Sequence, residues 1–120
     1  MRILVVEDDT VLAAAVTRAL TQATYTVDLV EDGEDANRAL SVHDYDLVLL
    51  DLSMPNVSGL EALPQILHSS PDTKVVLLSG SGTADDTSVP PGASAFVRKG
   101  VTPPDLLEEL LIVMGAEPAG

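Results

Sequence analysis

The chain has 120 residues, the length of one ordinary domain with one core, and its 46% hydrophobic content is too high for a disordered polymer. Nineteen Asp and Glu against six Lys and Arg give a formal net charge of -13, a field that repels nucleic-acid phosphates and anionic lipid surfaces. The absence of cysteine excludes a disulfide scaffold, a thiolate zinc site and thiol chemistry, and three aromatics (Tyr25, Tyr45 and Phe96) are too few for a stacking platform.

From the start of the chain, Ile3-Leu4-Val5-Val6 is an apolar run too short for a helix and fit for a strand buried on both faces. Four apolar residues before Glu7-Asp8-Asp9 fall far short of a signal-peptide core or a membrane span, so a cytoplasmic domain is expected. Asp9 or Thr10 can cap a helix with apolar positions at Leu12, Val16, Ala19, Leu20 and Ala23. Residues 26–30 read as a second strand, and 34–41 as a short helix carrying Ala36, Ala39 and Leu40. Residues 46–50 form the third strand, followed by a loop over 51–58 and a helix over 59–68. Pro64 lies past the first turn of that helix, where its missing N–H predicts a kink.

Val75-Val76-Leu77-Leu78 is the fourth strand and Ala95-Phe96-Val97 the fifth. Between them, residues 83–91 (Thr-Ala-Asp-Asp-Thr-Ser-Val-Pro-Pro) contain few strong helix formers and end in a Pro-Pro stop. At most about two helical turns within 84–89, or an irregular loop, are predicted there. A last helix starts at Pro103-Pro104-Asp105 and is expected to bury Leu106, Leu107, Leu110, Leu111 and Val113 or Met114. One domain thus spans 1–120, with 115–120 as an Ala/Gly/Pro-rich tail expected to fray.

Five short apolar strands alternating with helices demand an α/β architecture: a parallel sheet, right-handed crossovers and helices on both faces. Ligands in such folds sit at the carboxyl ends of the strands. Strand one ends in Glu7-Asp8-Asp9, strand three in Asp51, strand four in Ser79-Gly80 and strand five in Arg98-Lys99-Gly100. Glu31-Asp32-Gly33 after strand two reads as a turn. Clustered carboxylates repel one another unless a hard cation joins them, and oxygen-only donors favour Mg²⁺ or Mn²⁺ over zinc. Lys99 adds a second positive charge and Ser79 a hydrogen-bond donor. Two cations and a hydroxyl around a carboxylate are what phosphoryl transfer to that carboxylate requires.

At this point the chain resembles the receiver domain of two-component response regulators. The matching residues are Ile3-Leu4-Val5-Val6-Glu7-Asp8, Leu49-Leu50-Asp51-Leu52-Ser53-Met54-Pro55 with Gly59, Leu77-Leu78-Ser79-Gly80 and Phe96-Val97-Arg98-Lys99. The resemblance implies a flavodoxin-like (βα)5 three-layer sandwich with strand order 2-1-3-4-5 and, here, a short or irregular fourth helix. It implies Asp51 as phosphoacceptor, Asp8 as direct Mg²⁺ ligand, Glu7 as its assistant and the Ser53 backbone carbonyl as a further ligand. Ser79 and Lys99 would hold the phosphoryl group, and Phe96 would be a switch aromatic whose rotamer follows Ser79. The implied partners are a histidine kinase or phosphotransfer protein and an effector domain or downstream protein, with homodimerisation left open.

Two further departures from the family stand out. Gly100 follows Lys99 where many members carry a cis proline, and the Lys-Gly form is similar to the subgroup with a helix-turn-helix output domain. Phe96 also lacks the hydroxyl of the tyrosine often found there. His43 and His68 lie away from the strand ends and read as surface residues, so a phosphohistidine donor would be another protein. Asp9 reads as a cap rather than a ligand.

The expected function is therefore a phosphorylation-activated signalling switch that turns over no separate substrate. An aspartate-nucleophile phosphatase needs a second Asp where this chain has Ser53. A flavin binder needs a phosphate loop where it has Glu7-Asp8-Asp9. A receiver-like interaction module working without phosphorylation is the alternative.

Overall fold

Continuous runs of Val, Leu and Ile build the centre of the molecule because each is long enough for a strand and too short for a helix. The computed structural model describes residues 2–51, 59–70, 72–79, 93–98 and 102–113. In chain order these form β1 (Arg2–Val6), α1 (Thr10–Gln22), β2 (Thr26–Val30), α2 (Gly33–Val42) and β3 (Leu47–Asp51). Then follow α3 (Gly59–Ser69), β4 (Lys74–Ser79), β5 (Ala95–Arg98) and α4 (Pro103–Val113). The short helix or irregular loop expected within 84–89 and the tail at 115–120 lie outside the described residues.

All neighbouring strands are parallel and the sheet order is β2-β1-β3-β4-β5, as the resemblance implies. Strand alternation sends side chains to two separate cores. Leu4, Val6, Val48, Leu50, Val75 and Leu77 pack with Ala36 and Leu40 of α2 and Leu63 and Ile66 of α3. Ile3, Val5, Leu47, Leu49, Val76 and Leu78 pack with Val16 and Leu20 of α1 and Leu106 and Leu110 of α4. Among the described residues the outcome is three layers, the sheet between two helix pairs. β2 is an edge strand, and Leu29 on it stays exposed.

Three helix boundaries have a chemical cause in the described residues. Asp9 caps α1, its Oδ1 accepting from the N–H groups of Val11 and Leu12, and Asp32 caps α2 by accepting from Asp35. α1 stops in a Schellman turn: the Tyr25 N–H reaches the Leu20 carbonyl, the Thr24 N–H reaches that of Thr21, and Thr24 takes φ 73°. α3 runs through Pro64 without interruption to Ser69. In α4, Leu106 and Leu110 are buried as expected, whereas Leu107, Leu111 and Val113 are half-buried at its margin.

The amino-terminal side of the sheet carries a polar clasp. Tyr45 donates its hydroxyl to Asp28 Oδ2 at 2.6 Å, and Arg2 donates to the same oxygen at 3.2 Å. The Arg2 guanidinium also lies 5.9 Å from the Tyr45 ring centroid, and His43 meets that ring edge-on at 6.3 Å. Thr73 fastens β4 to the group by donating to the Tyr45 carbonyl at 2.8 Å.

Burial first, and then the hydrogen bond to the Asp28 carboxylate, push the Tyr45 phenol from 10.0 up to about 12. Below pH about 10 the phenol is neutral in both folded and unfolded chains, so its contribution to stability is complete. Between about 10 and 12 only the unfolded chain ionises, and stability falls as pH rises. In a Tyr25→Phe chain, phenolate absorbance is expected to reach half-titration near pH 12 and to move downward on Asp28→Asn. Half-titration near pH 10 in the folded chain would overturn this placement of Tyr45.

Candidate functional site

The strand register brings the sequence-predicted carboxylates together. Val6 pairs with Leu50 across β1 and β3, so Glu7 and Asp51, the next residues along these adjacent parallel strands, stand at one level. Asp8 follows where the chain turns towards α1. One carboxylate oxygen from each of Glu7, Asp8 and Asp51 lies within 4.8 Å of the others. Glu7 is 2% exposed and Asp51 0%, whereas Asp8 is exposed.

Local bonds fix the acidic pair. The Glu7 N–H donates to the Val30 carbonyl at 3.0 Å, tying the end of β1 to β2. Glu7 Oε2 accepts the Asp9 N–H at 3.0 Å. The Asp9 carboxylate turns instead to the first turn of α1, in agreement with its reading as a cap.

The donor set fits a hard divalent ion. Opposite oxygens on one Mg²⁺ lie about 4.2 Å apart, and on one Ca²⁺ about 5 Å apart. Three oxygens within 4.8 Å therefore suit a single hard cation after at most a small closure around Mg²⁺. Oxygen-only donors gathered in this way, two buried and one open to solvent, are the kind that hard divalent ions bind.

On the neighbouring strands, Asp51 pairs with Leu78, which places the backbone of Ser79 one residue further along β4 and opposite Arg98 of β5. Ser53, Lys99 and Gly100 lie outside the described residues. Phe96 pairs with Leu77 and is half-buried against the α2–α3 core. His43 and His68 are exposed, at the end of α2 and in the last turn of α3. The sequence reading missed the Asp9–Glu7 bond. Its only signal was the direct succession of an acidic strand end and a helix cap. It also missed the clasp, announced by Asp28 set between Val27 and Leu29.

The chain is similar to known proteins in both sequence and fold. It is 41% identical over 86 residues to the transcriptional regulatory protein CutR of Streptomyces coelicolor, a match covering 72% of this chain and 40% of that protein. It is 37% identical over 101 residues to the transcriptional regulatory protein TcrA of Mycobacterium tuberculosis, covering 82% and 40%. The chain thus spans about 40% of the length of these relatives.

Among solved structures, a CheY-like response regulator receiver domain protein of Methanospirillum hungatei superposes with a TM-score of 0.88 at 27% identity, covering 95% of this chain and 93% of the other. The response regulator TrrA of Thermotoga maritima, solved in complex with Mg²⁺ and BeF, gives a TM-score of 0.84 at 31% identity and covers 93% and 97%. The pattern of the response regulator receiver domain matches residues 3–111, from β1 into α4. With its sheet order, its two helical layers and its acidic strand ends all in the matched stretch, the chain belongs to the response regulator receiver domain family of two-component systems.

Proposed function

We propose that the chain is a phosphorylation-activated switch that accepts a phosphoryl group on Asp51 from a histidine kinase in a Mg²⁺- or Mn²⁺-dependent reaction. The observation that carries this reading is the meeting of Glu7, Asp8 and Asp51 at the carboxyl edge of the sheet. The relative TrrA, solved with Mg²⁺ and BeF, supports it.

An Asp51 oxygen attacks the phosphorus of a phosphohistidine, the P–N bond breaks, and its electron pair returns to the imidazole. The product is an acyl phosphate on Asp51. Asp8 and Asp51 would hold the ion directly, with Glu7 assisting and the Ser53 carbonyl completing the set. When bound, the ion supplies positive charge against the equatorial oxygens of the transferring group. Lys99 pairs with that group and Ser79 donates a hydrogen bond to it. Phe96 reports the change by shifting against the α2–α3 core, which biases a two-state equilibrium of the surface near β5. The domain works in the cytoplasm and turns over no separate substrate. Its output lies in an effector domain or a downstream protein, since the relatives named as transcriptional regulators are much longer. The chain's own charge of -13 makes it a poor reader of nucleic acid.

Incubation with acetyl phosphate and Mg²⁺, followed by intact mass, is expected to show one phosphoryl adduct that chelation of Mg²⁺ abolishes. No adduct under any divalent ion would overturn this function in favour of an interaction module that works unphosphorylated.

A further inference from the structure

We infer that Asp9 is a positioning residue for the ion-binding carboxylates: its side chain anchors the first turn of α1, and its backbone N–H thereby holds the Glu7 carboxylate in the cluster. The inference rests on the proposed metal-dependent function and deepens it.

Asp9 is fixed from three directions. Its Oδ1 accepts from the N–H groups of Val11 at 3.0 Å and Leu12 at 3.1 Å. Its carbonyl accepts the Ala13 N–H at 2.9 Å. With φ -76° and ψ 109°, the residue is extended, the conformation an N-cap requires. A peptide held this firmly has a fixed N–H direction, and that N–H donates to Glu7 Oε2 at 3.0 Å.

Glu7 is buried and its backbone is tied to Val30; a glutamate side chain has several rotatable bonds, and the Asp9 N–H is one of the contacts that order it. The Asp9 N–H sets the carboxylate before an ion arrives, as outer-shell partners do for metal ligands elsewhere. The Asp9 carboxylate is not among the three that converge, so its contribution passes through the helix cap and the peptide.

Three substitutions separate the cap from the charge. Asp9→Asn and Asp9→Ala remove the same charge, but only Asn retains a capping oxygen. Mn²⁺ binding to the full chain, followed by calorimetry, is expected to be about tenfold weaker for Asp9→Ala than for Asp9→Asn. Asp9→Ser, which restores a capping oxygen, is expected to recover most of the difference. Equal affinities for Asp9→Asn and Asp9→Ala overturn the positioning role while leaving the metal site standing. A wild-type chain that binds no Mn²⁺ overturns the functional reading and this inference with it. Amide exchange in the wild-type chain provides a readout that needs no variant. The residue-9 amide is expected to be protected, and an unprotected amide in the folded wild type overturns the inference.

Discussion

An Asp51→Asn chain is expected to lose phosphoryl uptake from acetyl phosphate and Mg²⁺ completely, to at least about a hundredfold below the wild type. Asparagine matches aspartate in shape, so the fold around β3 is retained, but its amide is no nucleophile and a poor ligand for a hard ion. The position leaves little scope for replacement. Asp51 ends the central strand of the sheet, is 0% exposed, and stands level with Glu7 through the pairing of Val6 with Leu50. Asp8 and Glu7 are the carboxylates near enough to substitute among the described residues. Peptide masses after digestion distinguish the cases. An adduct persisting in Asp51→Asn and mapping to Asp8 or Glu7 would place the acceptor there and overturn the assignment of Asp51.

Leu49→Ala is expected to cost about 3–5 kcal/mol, the upper part of the range for leucine truncation in a core. Leu49 is 0% exposed on β3, pairs with Val5 on one side and Val76 on the other, and faces the layer that α1 and α4 build. Strands on both sides prevent the sheet from closing over the lost volume, so most of the cavity persists. Against a total stability of about 5–15 kcal/mol for a domain, this is a large share. Chemical denaturation measures it, with Val11→Ala as the control. Val11 is 79% exposed, and its truncation is expected to change stability by no more than about 0.5 kcal/mol. A loss below about 1 kcal/mol for Leu49→Ala would contradict the packing described for this face.

Much of this fold is legible in the sequence because the central strands are buried on both faces. β1 is apolar from Ile3 to Val6 and β3 from Leu47 to Leu50, and a run such as Val48-Leu49-Leu50 cannot be an amphipathic helix. Strand ends were less legible. Asp51 reads as the first loop residue, yet it belongs to β3 because it pairs with Leu78 of β4. Helix rotation was also hidden: Ala13 is buried in α1, while Leu12 and Ala19, which periodicity favours, are half-buried. Alanine lies inside where a helix approaches a sheet closely, and only the neighbour sets that approach.

The carboxylates followed the same division. Residue type and position after a strand were enough to name Glu7, Asp8 and Asp51 as a candidate ion site, because parallel sheets concentrate their chemistry at the carboxyl edge. Chain order alone could not bring Glu7 and Asp51, 44 positions apart, to one level. The parallel register of β1 on β3 does so, and a slip of one residue would turn one of them to the other face. The joint role of Asp9 arises in the same way. A cap is a local property that the sequence displays, whereas the direction of its peptide N–H towards Glu7 exists only once β1, β2 and α1 are packed together.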